Sequence, residues 1–327
     1  MIRCTSGARF ALAAVLASAA LVAPAAAEFP DKPVKIVVAF APGTGSDVLA
    51  RLVANGMGPI LGGSVIVDNR PGGGGIVGTE SVARSPADGY TITLGTTSTL
   101  VTNPALNPEV KYSVEKDFAP VAGLGKAWYV IVTANTPESP KTLAELTARM
   151  KAQPGAFASA GQGTITHLAS EMYLHRMGVK NATHIPYKGS SQALTDVTGG
   201  QMLFASDTVA AALPLIRGGK LRALAVTAPE RLATLPDVPT TKELGYPDLR
   251  AHAWLVLMAP AGTPAPVVAK LADSAIKAMN TPDMREKLKA QELEPMILDS
   301  KALGDFIRNE TPYWNNFIKS SGIKAGA

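Results

Sequence analysis

Cysteine is all but absent. Cys4 is the only one, and it precedes an apolar run, Phe10 to Ala23, which is followed by the small-residue triplet Ala25-Ala26-Ala27. With Arg3 and Arg9 in front of that run, residues 1–27 read as a secretory signal peptide cleaved before Glu28. The run is shorter than the about 20 residues of a membrane span. A lipid-anchor cysteine would follow the run, so Cys4 is not read as one. Cleavage leaves no cysteine, which excludes disulfides, thiolate zinc sites and cysteine nucleophiles together. In a bacterium such an address leads to the periplasm.

Charge of one sign is scarce as well. Loss of Arg3 and Arg9 lowers the formal charge from +5 to +3, and what remains is spread along the chain without a run of like charges. That is no nucleic-acid footprint, although a mild positive field suits small anions. No later segment resembles a membrane helix, and the mature chain has no short repeat or low-complexity tract. No Gly-Lys-Ser/Thr follows a glycine turn, which excludes a nucleotide P-loop, and no nucleophile elbow is present.

What is there begins at residues 34–52, VKIVVAFAPGTGSDVLARL. Val34, Ile36, Val37, Val38 and Phe40 make an apolar run of strand length. Pro42, Gly43 and Gly45 break the chain, and Ser46 or Asp47 is expected to cap the helix carrying Val48, Leu49 and Leu52. A strand, a glycine turn and a helix N-terminus aim unpaired N–H groups and a partial positive charge at one spot. The arrangement predicts an anion site.

The rest alternates strands and helices. Strands are expected at 64–67 and 90–94, with Gly72 to Gly75 leading into a helix over 76–83. Three such units argue for a parallel sheet with its turns on one edge, where open α/β sheets bind ligands. Residues 120–133 read as a long connection between domains. The pattern then restarts: helix 143–150, strand 156–160, the glycine turn Gly161-Gln162-Gly163-Thr164, helix 165–176 and strand 184–187. A further helix opens near Ser190. Strands at 202–205 and 221–227 follow, with a late strand at 254–258 and a late helix at 267–279. Two α/β halves with a late return are the plan of a hinged two-domain binding protein. The boundaries are placed at 28–125 for the first domain, 126–225 for the second and 226–327 for the return segment.

The same residues admit rival chemistry. Gly43-x-Gly45-x-x-Val48 with Asp68 about 20 residues on has the outline of a dinucleotide fingerprint. This gives the alternative function, an exported enzyme such as a nicotinamide-dependent oxidoreductase acting on a carboxylate. Val48 stands where a small residue is needed, and Asp47 would face the pyrophosphate. His167, Glu171 and His175 share helical spacing, as metal ligands sometimes do, but solvent exposure or packing explains them as well. His184 and His252 have no evident partners. Trp128, Trp254 and Trp314 read as core or interface packing, Trp128 being the one near the domain connection.

The order of motifs resembles the substrate-binding receptors of tripartite tricarboxylate transporters, the Bug family. The matching pieces are FPDKPVKIVVAFAPGTGSDVLAR (29–51), VDNRPGGGGIVG (67–78), SPADGYTITLG (85–95), NPAL (103–106), GQGTITHLASE (161–171), IPYKGSSQAL (185–194), GGKLRALAVT (218–227), LPDVPTTKELGYP (235–247) and MAPAGTP (258–264). The resemblance implies a two-domain α/β fold of the type II periplasmic-binding-protein kind with a cleft between the domains. It implies a monomeric, non-enzymatic receptor without cofactor or metal, which captures a small organic carboxylate for membrane permease subunits. It places the carboxylate between Ala41–Asp47 and Gly161–His167. The expected ligand-binding residues are Phe40, Gly43, Thr44, Gly45, Ser46, Asp47, Thr97, Ser98, Gly161, Gly163, Thr164, His167 and Asp207. Thr44 interrupts the family's usual glycine pair, Thr164 stands where serine is common, and Leu203 and Ser206 replace an acid and an aromatic. The smaller Ser206 is expected to leave room for a bulkier ligand. Asp207 is expected either to meet the distal part of the ligand, through a donor or a bridging water, or to cap the helix starting near Val209.

Overall fold

The computed structural model describes residues 29–321 and Ile323. The expected signal peptide, Cys4 and the expected mature terminus Glu28 lie outside the described residues.

The first elements are β1 (Val34–Val38), α1 (Gly45–Leu61), β2 (Val65–Asn69), α2 (Ile76–Ala83) and β3 (Thr91–Thr96). β1 pairs in parallel with both β2 and β3, so all three chain reversals reach the same sheet edge. Val34, Ile36, Val37 and Val38 are fully buried, as a central parallel strand covered on both faces requires. After β3 come a π-helical turn (Ser98–Thr102), α3 (Asn103–Leu106) and α4 (Val114–Asp117), then β4 (Phe118–Ala134).

The segment expected to be a connection, residues 120–133, is instead the interior of this 17-residue strand. Its sequence explains why: Val121, Ala122, Leu124, Val130, Ile131 and Val132 are apolar and buried. Phe118–Trp128 runs antiparallel to β9, whereas Tyr129–Ala134 runs antiparallel to β7 and β8. One strand is thus a member of two ladders. Glycine is needed in its first half, because a Cβ on Gly123 would sit 2.8 Å from the Leu298 Cβ and one on Gly125 would sit 2.9 Å from the Glu294 carbonyl.

Beyond β4 follow α5 (Leu143–Ala152), β5 (Gly155–Ser159), α6 (Ile165–Met177), β6 (Ala182–Pro186), α7 (Ser190–Thr198), β7 (Phe204–Thr208), α8 (Val209–Arg217) and β8 (Leu221–Val226). The return comprises β9 (His252–Pro260), α9 (Ala265–Met279), α10 (Pro282–Ala290), β10 (Leu293–Leu298) and α11 (Ser300–Ser321). The strand order is β2-β1-β3-β9-β4-β7-β5-β6, with β8 and β10 also on β4. β5 lies parallel to both β6 and β7, repeating the first ladder's arrangement.

Two expected details shift. Thr44, rather than Ser46 or Asp47, caps α1: its side chain accepts from the Asp47 N–H. β7 runs from Phe204 to Thr208 instead of 202–205, so Asp207 lies within the strand, and Thr208 is the cap of α8. The idea that Asp207 is only a helix cap is therefore overturned.

Candidate functional site

Two turns of the same construction face each other across the junction of the ladders. In the first, Gly43 has φ +84°, and Thr44 follows at φ −74°, ψ 159°. The Thr44 hydroxyl donates to the Ala41 carbonyl (3.1 Å) and accepts from the Asp47 N–H (3.3 Å), while the Gly43 N–H donates to the Asp47 carboxylate (2.9 Å). In the second, Gly163 has φ +74°, and Thr164 follows at φ −74°, ψ 161°. The Thr164 hydroxyl lies 2.7 Å from the Gly161 carbonyl and 3.4 Å from the His167 N–H, and the Gly163 N–H donates to His167 Nδ1 (3.3 Å). The pattern is Gly-Thr-x-x-acceptor in both, with Asp in one turn and His in the other.

This construction fixes what Asp47 and His167 do. The Asp47 carboxylate accepts from Gly43, from Arg51 and from Asn69, whose amide also bonds the Phe40 carbonyl. Burial pushes the carboxyl pKa up, but the Arg51, Gly43 and Asn69 bonds outweigh it and hold it below the usual value. With its lone pairs spent, Asp47 shapes the turn rather than facing the cavity. His167 is buried at 3% exposure and does the same for the second turn, its Nε2 lying 3.6 Å from Glu171.

Behind that turn His167 stacks on His184, which stacks in turn on Phe157. His184 Nε2 meets the Ser159 hydroxyl at 2.6 Å. Burial, and secondarily His167, lowers the His184 pKa to about 3, so the ring is neutral. His184 therefore has partners that sequence spacing hides, since a parallel strand neighbour brings them. Ser159 is buried and already bonded to Gly161, so its pairing with His184 lies inside the fold. His252 lies 3.9 Å from Glu310 and packs against Trp128, whose indole N–H donates to Glu294. Among the described residues no group of three His, Cys, Asp or Glu could hold a metal ion.

The two helix N-termini open on a cavity of about 40 Å³. Phe40, Thr44, Gly45, Ser46, Ser98, Thr164 and Asp207 of the expected set line it, joined by Thr96, Ala127, Tyr129, Ala160, Thr166, Ser190, Thr208, Ala253 and Leu255. Gly43, Asp47, Gly163 and His167 build its turns without lining it. Thr97 is spent on the Trp254 N–H (3.0 Å), and Gly161 lines a neighbouring cavity. Strand alternation carries Ser206 away from Asp207, so the smaller side chain at 206 does not widen this cavity. Gly45 and Ser46 lie in the first turn of α1, where N–H groups have no intrahelical acceptor, and the same holds for Thr166 in α6. No Lys or Arg lines the cavity. Positive potential comes from N–H groups and helix dipoles alone.

Asp207 is the buried acid of the cavity. One carboxylate oxygen accepts from the Ser190 hydroxyl (2.8 Å) and the Thr208 N–H (2.7 Å), while the other has no partner. Burial raises the pKa to about 6 against the lowering effect of those bonds.

Bonds from one side to the other hold the turns together. Ile165 N–H donates to Ser98 (3.0 Å) and Thr102 donates to the Gly163 carbonyl (2.5 Å), while within the first half Asn103 donates to the Gly74 carbonyl (2.8 Å). The glycine run closes against the second turn so tightly that a Cβ on Gly74, at φ +64°, would lie 2.4 Å from the Gln162 carbonyl.

A sheet pair sharing one strand, with a cavity where two helix N-termini meet, defines a solute receptor of the periplasmic-binding-protein class. The family model described as "Tripartite tricarboxylate transporter family receptor" matches residues 49–323, and the chain belongs to that family. It is 37% identical over 313 residues to protein BugT of Bordetella pertussis, spanning 94% of this chain and 95% of that one. The structure is similar to that of the periplasmic binding protein BugD, with a TM-score of 0.86 at 34% identity over 90% of this chain and 99% of that one. It is also similar to R. palustris Rpa4515 with adipate, with a TM-score of 0.86 at 29% identity over 91% and 99% of the two chains. The family is one of binding proteins and not of enzymes, which removes the oxidoreductase alternative.

Proposed function

We propose that this receptor captures a small organic carboxylate in the periplasm and delivers it to the membrane subunits of a tripartite tricarboxylate transporter. The observation that carries the reading is the pair of matched turns, whose helix N-termini converge on one cavity without a cationic side chain. Charge-assisted hydrogen bonds from such N–H groups are strong and directional, and they release an anion more readily than a buried ion pair would. Thr44, Gly45 and Ser46 serve one face of the carboxylate, and Thr164 and Thr166 the other. The unpartnered Asp207 oxygen meets a hydroxyl, an amine or a bridging water beside it. The adipate in a relative supports a carboxylate ligand.

The secretory address in residues 1–27 supports export, and delivery as a monomer suits a receptor whose site is complete within one chain. Among the described residues no helix is long and apolar enough to cross a membrane. Two lobes hinge where β4 changes partners, at Trp128–Tyr129, and in the chain between β8 and β9; ligand favours the closed arrangement through contacts available only there.

A thermal-shift screen of the purified protein against a carboxylate library tests the reading. A ligand at 100 times its dissociation constant raises stability by about 2.7 kcal/mol. A library in which amines or sugars stabilise the protein and no carboxylate does would refute it.

A further inference from the structure

Asp207 and the anion site occupy the same small space. The cavity between the turns measures about 40 Å³, room for about three waters or one carboxylate group. Asp207 lines it together with Thr44, Gly45, Ser46, Thr164 and Thr166. A carboxylate set against the helix N-termini therefore lies beside a second carboxylate, and no Lys or Arg lines the cavity to separate them. Two carboxylates so placed do not both stay ionised, because each charge raises the cost of the other.

The bonding of Asp207 shows where a proton would sit. Oδ1 accepts from the Ser190 hydroxyl and the Thr208 N–H, whereas Oδ2 is buried and has no partner. An ionised oxygen left that way is costly. An O–H at the same atom becomes a donor, and the oxygen of a ligand carboxylate is its natural acceptor.

The neighbouring elements bring no charge that would answer Asp207 instead. Tyr129 on β4 is the other ionisable side chain lining the cavity, and burial holds its pKa well above the usual value, so it stays neutral. Asp47 on α1 is spent on Arg51 and Asn69, His167 on α6 builds its own turn, Asp196 on α7 accepts from Tyr187, and Arg217 ends α8. None of these lines the cavity, nor do Lys126 on β4 and Glu171, His175 and Arg176 on α6. Burial raises the Asp207 pKa to about 6, and an anion beside it moves it further the same way.

Resting on the carboxylate reading above, we propose that the receptor captures its ligand's carboxylate together with one proton from solvent, which binds Asp207 Oδ2 and is shared with the ligand as an O–H···O bond. Capture then adds no net charge to a cavity that no cationic side chain lines. An ammonium or hydroxyl beside the ligand's carboxylate supplies the same donor from the ligand, and such a ligand takes up no proton.

Calorimetry with propionate, succinate and adipate, each paired with its α-amino counterpart (alanine, aspartate and 2-aminoadipate), tests this on wild type and Asp207→Asn. Titrations at pH 7.5 in phosphate and in Tris, whose ionisation enthalpies differ, count the protons taken up. For wild type and the unsubstituted acids the count should be about one, and affinity should fall about tenfold from pH 7 to pH 8. For the amino acids the count should be near zero. In Asp207→Asn, whose amide is a permanent donor, the unsubstituted acids should bind without proton uptake and equally well at both pH values. Wild type binding the unsubstituted acids with a count near zero, binding of the amino acids alone, or uptake persisting in Asp207→Asn would overturn the proton and leave the carboxylate site intact. The wild-type counts decide this whether or not the variant folds. If no carboxylate binds wild type, the carboxylate reading itself falls, and this inference with it.

Discussion

The ring of His167 lies flat against that of His184, with centroids 3.9 Å and planes 10° apart, directly behind the turn that carries Thr164. Such a pair is compatible with two neutral rings and not with two charged ones. The His184 pKa is lowered from 6.5 to about 3, and that of His252 to about 4. Below pH 6.5 the unfolded chain therefore takes up protons that the native chain refuses. This contribution is whole above pH 6.5 and is lost as pH falls toward 3. The unfolding midpoint should drop between pH 7 and pH 5, and His184→Gln should flatten that slope. Equal slopes in the two proteins would show that His184 does not carry the effect.

Asp207 runs the other way. Its pKa is raised from 3.8 to about 6, so its contribution is whole below pH 3.8 and is lost as pH rises through 6. Asp207→Asn keeps an oxygen for Ser190 and Thr208, and should be more stable than wild type at pH 8 while matching it at pH 4. Its ligand ranking should also change, with acids bearing a hydroxyl or amine beside the carboxylate losing ground. Identical ranking would leave Asp207 a structural group only.

The matched turns predict matched defects. Thr44→Val and Thr164→Val each remove a cap hydroxyl and should each cost about 1 kcal/mol of stability by denaturant titration. Both should weaken carboxylate binding. A loss of binding in one and not the other would mean that only one turn holds the anion.

Gly74→Ala tests closure. The added methyl would meet the Gln162 carbonyl at 2.4 Å, which only an open arrangement avoids. Affinity should fall at least tenfold, about 1.4 kcal/mol. Small-angle scattering should find the variant's radius of gyration larger than that of ligand-bound wild type. Wild-type affinity with the same compact profile would place the glycine run outside the closing surface.

Much of this was legible in the chain. β1, α2 and the start of α6 follow from apolar periodicity and glycine punctuation, and both turns are visible as glycine followed by a capping residue. The Gly43-Thr44 and Gly163-Thr164 repeat, with an acceptor three residues after each threonine, was also there to be read and would have assigned Asp47 and His167 to the turns. The glycines at 123 and 125 give β4 the look of a linker; they mark the close approach of β10, a contact that no local pattern encodes. Ser190, Tyr129 and Leu255 reach the cavity only through pairing of distant strands. The stacking of His184 on His167 depends on β6 lying beside β5, which spacing along the chain does not report.

The position of β4 has a consequence for the order in which the protein is made. Its partners β7, β8, β9 and β10 all follow it, the last ending at Leu298. A chain emerging from the ribosome holds β1, β2 and β3 early, but β3 waits for β9 before its second edge is covered. The second half has all its strands by Val226, but the first cannot complete its sheet until β9 and β10 exist, so its folding is late and rich in distant contacts, and distant contacts make it slow. A polypeptide whose first sheet stays incomplete until its end has been synthesised is one that can still be threaded through a translocation pore.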